Sequence, residues 1–179
     1  FPPEAKGAGL SPRLHAFGML EDIFTWDNLL RESEDQLART LHEDYRKKRQ
    51  NEGASDEQNP GWETLVENMK ESNRCAADHI PIKLRALGYH DEPLQPGKDP
   101  IERFTGPEID LLSQMEHLRW CAERWLDGWE YGPESDREKK INRNLVGWAQ
   151  LLPKDQRKDP EQIDTICRAL KEIGRAIYR

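Results

Sequence analysis

Two sets of side chains in this chain are spaced to act together. His117, Trp120 and Arg124 stand at i, i+3 and i+7, and His42, Tyr45 and Arg49 repeat that spacing. On a helix such intervals put three side chains on one face. A ring beside a guanidinium and an imidazole can stack on a planar ligand while the cations hold its charged groups. The same trio can instead be a packing seam, with the arginine lying on the ring against a partner copy or against the segment around Trp148. The residues alone leave both readings open.

Catalysis has weaker support. Glu116 beside His117, and His42 beside Glu43, are sequence neighbours and point about 100° apart on a helix, so neither is an acid–base pair. His79 and Lys83, with Asp78, read as a solvated polar face, and Asp136, Glu138, Lys139 and Lys140 read as a charged loop from which Lys140 or Arg143 could reach a phosphate. There is no glycine-rich phosphate loop and no HExxH. Cys75, Cys121 and Cys167 are odd in number and lack CxxC spacing, which argues against a disulfide framework and a zinc site and for free thiols in helices. The expectation is a protein that is not an enzyme and carries no metal or resident cofactor.

Composition narrows the partners. Hydrophobic residues make 35% of the chain and charged ones 34%, and no run approaches the roughly 18 apolar residues of a membrane helix. A net charge of −7 disfavours binding to nucleic-acid polymers, which rests on surplus Lys and Arg, while local basic clusters leave room for a small anion. The chain begins Phe1-Pro2-Pro3-Glu4 without Met and without a signal-peptide pattern, so a piece of a longer cytoplasmic polypeptide is expected.

Several elements must position the two trios. Residues 1–32 read as a linker, or the tail of an upstream domain, with a short strand at Leu14–Gly18 and a partly helical pattern from Met19 to Arg31. Ser33 to Gln36 matches a capping box for a helix carrying Leu37, Leu41 and Tyr45 towards Gly53. From Ser72 another helix carries Ala77, Ile80, Leu84 and Leu87 to Gly88, with Pro81 forcing a kink or a later start. Residues 91–104 read as a linker. Thr105 to Glu108 is a second capping box, with Pro107 in the first turn, and opens a helix that Gly128 closes. Its apolar stripe of Leu111, Met115, Leu118, Ala122 and Trp125 is expected to face the core, leaving Trp120 among polar groups on the other side. A last helix opens at Asp159-Pro160, carries Ile163, Ile166, Leu170 and Ile173, and stops at Gly174.

The halves are copies. His42, Tyr45, Arg49 and Gly53 recur 75 positions on as His117, Trp120, Arg124 and Gly128. Trp62, Leu65, Ile80, Leu84 and Gly88 recur 86 positions on as Trp148, Leu151, Ile166, Leu170 and Gly174. The second copy thus gains 11 residues between its Gly and its Trp, among them Trp129-Glu130-Tyr131-Gly132. Two such units, residues 33–90 and 105–179, would bury their faces against each other about a pseudo-twofold axis.

The second copy resembles the ryanodine-receptor repeat, or RyR, domain. The residues that carry the likeness are Glu116-His117-Leu118-Arg119-Trp120, Gly128-Trp129-Glu130-Tyr131-Gly132, Asp136, Leu145-Val146-Gly147-Trp148 with Leu151, and the closing helix to Gly174. The first copy looks like a degenerate repeat of the same kind, lacking Gly-Trp-x-Tyr-Gly. Asn142-Arg143-Asn144 departs from the family's His-Pro or Asn-Pro in that loop. The resemblance implies a mainly α fold, α+β with short strands formed by the Trp-containing segments. It also implies a cytosolic tandem with which adenine-nucleotide binding is associated, and bacterial-type relatives attached to an upstream domain of the TrkA-N, potassium-conductance-regulator type.

The expected function is a non-enzymatic, ligand-sensing module that binds an adenine-nucleotide-like signal between the repeats. Trp120, Trp129 and Tyr131 would wall the base. Arg119, Arg124 and Lys140 would hold phosphates, with His42, Tyr45, Arg74 and His117 contributed across the pseudo-twofold. The alternative is a structural module that docks another protein, its own upstream domain or a second copy, without a small ligand.

Overall fold

The computed structural model describes residues 32–51, 53, 55, 59–156 and 158–179. The strand expected at Leu14–Gly18, the pattern from Met19 to Arg31 and the side chain of Ser33 lie outside them. Helix α1 (Glu32–Asn51) is already formed at Glu32, one residue ahead of Ser33. A 3-10 turn (Trp62–Thr64) follows, then α2 (Glu67–Asp78), α3 (Ile80–Ala86) and strand β1 (His90–Pro93). The second half runs α4 (Gly106–Leu126), β2 (Glu130–Tyr131), β3 (Ile141–Asn142), a 3-10 turn (Trp148–Gln150), α5 (Pro153–Gln156), α6 (Lys158–Ile163), α7 (Ile166–Glu172) and β4 (Arg175–Tyr178). The protein is mainly helical with short strands, and no described helix is long and apolar enough to cross a membrane.

Local chemistry accounts for the joints. The chain breaks at His79, and Pro81, which has no N–H to give an interior turn, sits in the first turn of α3. At Thr105 the backbone N–H donates to Glu108 Oε2 at 2.7 Å, the reciprocal half of a capping box. Tyr89 Oη donates to the other oxygen of Glu108 at 2.6 Å and ties the end of the first half to the start of α4. At Gly128 φ is +77°, a left-handed conformation that costs a residue with Cβ about 1 kcal/mol or more, and the helix ends there.

Two sequence expectations about strands and helix starts are corrected. The Trp-containing segments are 3-10 turns rather than strands, because Leu65 N donates to Trp62 O and Leu151 N to Trp148 O, each at 3.2 Å, across a three-residue turn. The main strands come instead from residues after the closing helices, including His90–Pro93 at the edge of what reads as a linker. The last helix divides into α6 and α7, with Lys158 already helical ahead of Asp159.

β1 and β4 pair antiparallel, with Asp91 opposite Ile177 at the centre of the ladder. Those two residues are 86 positions apart, the interval that relates the closing parts of the two copies. The ladder thus sets opposite each other two residues at the interval that relates the two halves in sequence. One core draws on both copies: Leu41, Trp62, Ile80 and Leu84 from the first pack in one cluster with Leu112, Ile163, Ile166, Leu170 and Ile177 from the second. Residues Glu34–Arg179 form one compact unit.

β2 and β3 lie within the stretch that only the second copy possesses and pair in parallel, Glu130 with Ile141 and Tyr131 with Asn142. Gly132 is buried at the end of β2, and a Cβ there would run into Ile141 Cγ2. Gly132→Ala is expected to destabilise the protein by about 1–3 kcal/mol, the range for overpacking a filled site, as read by urea unfolding. An unchanged midpoint would mean that Ile141 moves aside freely.

Candidate functional site

The two long helices hold their histidines in the same way. His117 Nε2 is 2.7 Å from the carbonyl oxygen of Val146, and His42 Nε2 is 2.9 Å from that of Pro60. Pro60 and Val146 each lie two residues before a Trp that the histidine ring meets, at 6.0 Å for Trp62 and 5.8 Å for Trp148. A histidine pinned through its ring nitrogen to a neighbouring loop is a brace between helix and 3-10 turn. In the second copy Trp120 stacks on His117 at 5.9 Å, and the Arg124 guanidinium lies 5.9 Å from the Trp120 ring centre and 5.4 Å from that of Trp129. Here the trio is a packing seam against the Trp148 segment.

The orientation of α4 corrects the sequence reading. Ser113, Glu116, His117 and Cys121 are buried together with Leu112, and Trp120 is half-buried on that side. Of the stripe expected in the core, Met115 packs against it, but the rest points outward: Leu111 is 43% exposed, Leu118 58% and Trp125 55%, and Ala122 is exposed. The physical reason is a charge partner from the other copy. Lys83 Nζ of α3 meets Glu116 Oε2 at 2.6 Å, with the two side chains 1% and 2% exposed. Arg119 then grips Glu116 Oε1 at 2.8 Å and Glu123 Oε2 at 2.6 Å. Burial by itself would raise the Glu116 pKa, but Lys83 and Arg119 override it and hold the carboxyl below its usual range. Burial likewise opposes the charge of Arg119, and its two carboxylates override that and raise its pKa. His79 packs near this network with Nδ1 buried and unbonded, and burial followed by Lys83 lowers its pKa.

The remaining candidates are dispersed. Arg74 is held by Asp35 first, then by Glu67 and Glu71, and these carboxylates raise its pKa. Lys140 adopts φ +53° and donates to the Asp127 carbonyl at 2.6 Å and its carboxylate at 2.9 Å. Trp129 Nε1 donates to the same carboxylate at 3.0 Å, and the Lys140 and Trp129 bonds lower the Asp127 pKa. Tyr131 is 59% exposed on the short β2.

Three of the candidates, His42, Tyr45 and Arg124, line a single cavity of about 900 Å³. Its walls come from both copies: Leu41, Lys48, Arg49, Asn59, Pro60, Leu65 and Met69 from the first, and Arg137, Lys154, Glu161, Gln162 and Thr165 from the second. His117, Arg119, Trp120, Arg74, Trp129, Tyr131 and Lys140 are not part of this lining. Among the described residues the cations in the walls are Lys48, Arg49, Arg124, Arg137 and Lys154, and the one carboxylate is that of Glu161. Lys48 Nζ bonds the Glu161 backbone carbonyl at 2.8 Å, which links α1 to α6 across the cavity mouth. Arg137 and Lys154 make no ion pair with any described residue. Arg49 and Arg124 are equivalent positions of the two copies, so the cavity takes one such arginine from each.

Lys48, Arg137 and Lys154 were absent from the sequence expectation. Lys48 adjoins Arg49, and Arg137 lies in the charged loop already suspected of reaching a phosphate, so both had a local signal; Lys154 had none. Among the described residues no three His, Cys, Asp or Glu side chains are grouped to hold a metal ion. Against known proteins, the family model of the RyR domain matches residues 104–179, which is the second copy. No curated protein matches the chain.

Proposed function

We propose, on the premise of that RyR-domain match, that the chain is a non-enzymatic sensing module whose inter-copy cavity binds an adenine-nucleotide-like anion. The observation that carries the reading is the basic lining. Among the described residues five cationic side chains and one carboxylate line a cavity of about 900 Å³, although the chain as a whole bears a net charge of −7. An acidic protein that concentrates cations in one concave site favours small anions there and repels polyanions elsewhere. Tyr45, 55% exposed and within the lining, offers a ring face for a base. Lys154, Arg137 and Arg124 hold phosphates, and His42 stays fixed as a brace.

Because the walls come from both copies, a ligand that bridges them favours the arrangement in which they are closest and biases whatever domain the chain is joined to in the cytoplasm. Calorimetry with ATP, ADP, cyclic mononucleotides and cyclic oligonucleotides tests this. One of these ligands is expected to bind saturably, more weakly as salt rises, and to be recovered unchanged by chromatography. No heat from any of them would overturn the binding, and consumption of the bound one would overturn the non-enzymatic role.

A further inference from the structure

The outward stripe of α4 has an internal control. Leu111, Leu118 and Trp125 recur every seven residues, the repeat of one coiled-coil position, with Ala122 exposed between them and Leu126 beside them 90% exposed, while Met115 turns in against the core. The positions of α1 equivalent to the exposed ones, 75 residues earlier, are Gln36, Glu43, Lys47, Gln50 and Asn51. The same helix in the same fold therefore keeps a polar outer face in the first copy and an apolar one in the second. The fold does not require the stripe. The cavity does not use it either, since none of its residues belongs to the lining.

We infer that this stripe is a self-association surface on which a second copy of the chain docks its own α4, antiparallel, about a twofold axis beside Leu118. The seam is self-complementary in that register. Leu118 stands at its midpoint with Leu111 seven residues before and Trp125 seven after, so an antiparallel mate sets Leu118 against Leu118 and Leu111 against Trp125. The exposed apolar surface is roughly 500 Å² on each copy, at most about 1,000 Å² across the pair, which is the size of a weak, concentration-dependent contact rather than of a permanent one. An isologous contact of this kind closes at two copies and leaves no free seam to propagate.

Sedimentation equilibrium of the whole chain over a concentration series, with no nucleotide present, is the test. The expected mass rises with concentration towards twice the 20.9 kDa of one chain. The variant Leu111→Gln/Leu118→Glu/Trp125→Gln places on α4 the residues that α1 carries at the same positions, and it is expected to sediment as a monomer with an unchanged circular dichroism spectrum. Leu118→Cys, alone in the wild-type background, is expected to form an intermolecular disulfide under mild oxidation, whereas Glu43→Cys is not. A monomeric wild type overturns the inference and gives the stripe to a different partner. A triple variant that remains a dimer overturns it by placing the contact on another face. Should the triple variant fail to fold, absence of the Leu118→Cys cross-link overturns it instead.

Discussion

Glu116→Ala is expected to lower the unfolding free energy by about 3–5 kcal/mol, the cost of leaving a buried charge without its counter-charge. For a unit of this size that is a fall in the thermal midpoint on the order of 10 °C. Lys83 is 1% exposed and meets the Glu116 carboxylate at 2.6 Å, so truncation removes that counter-charge where water cannot replace it. Arg119 suffers less, because Glu123 still holds it at 2.6 Å.

The other half of the fold shows how the site can be filled without charge. The equivalents of Glu116 and Lys83 are Leu41 and Ala169, both buried. The double variant Lys83→Ala/Glu116→Leu is therefore expected to recover most of the lost stability, and the two single variants with the double form a cycle that isolates the coupling. Additive losses in that cycle would show that the pair does not act as a unit. The pH dependence has a definite sign. Glu116 has its pKa held below the ordinary value of 4.5, so its contribution is present above that pH and is lost as pH falls through the lower folded value. Wild type is expected to lose stability in that acid window more steeply than Glu116→Ala.

The second large effect concerns the cavity. Arg137→Ala/Lys154→Ala is expected to weaken nucleotide binding on the order of 100-fold, since each charge-assisted bond contributes about 1.5–3 kcal/mol. Neither side chain has an ion-pair partner among the described residues, so the unfolding midpoint is expected to stay within error. Arg124→Ala is a poorer probe, because its guanidinium also covers the rings of Trp120 and Trp129. Lys140→Ala is the control: Lys140 is bound to Asp127 outside the lining and its loss should leave the affinity unchanged. Equal effects from Lys140→Ala and from the double variant would show that long-range charge, not the cavity, attracts the ligand.

The offsets of 75 and 86 residues were legible as letters and reappear as geometry. They pair the His42 and His117 braces, the Trp62 and Trp148 turns and the two centre residues of the strand ladder. Thr105, Pro81 and Gly128 did locally what their chemistry dictates. The orientation of α4 was not legible. Both of its sides are amphipathic in composition, and the one that turns inward carries Glu116 and His117, whose partners Lys83 and Val146 lie 33 and 29 residues away. Hydrophobicity alone awards the core to the leucines and tryptophan on the other side. The strands escaped for a related reason. His90–Pro93 has the polar, proline-ended composition of a linker and becomes a strand only because β4, more than 80 residues later, supplies its bonds.

That ladder has a consequence for how the chain can be divided. The matched segment, residues 104–179, ends in β4, where Ala176, Ile177 and Tyr178 are buried and the backbone is paired with β1. Cut away from residues 90–93, β4 becomes a bare edge with an apolar face and unpaired amides, a template for adhesion to any extended chain. The polar strand of the first copy thus covers the apolar strand of the second. The matched segment is therefore expected to need residues 90–93 to cover β4.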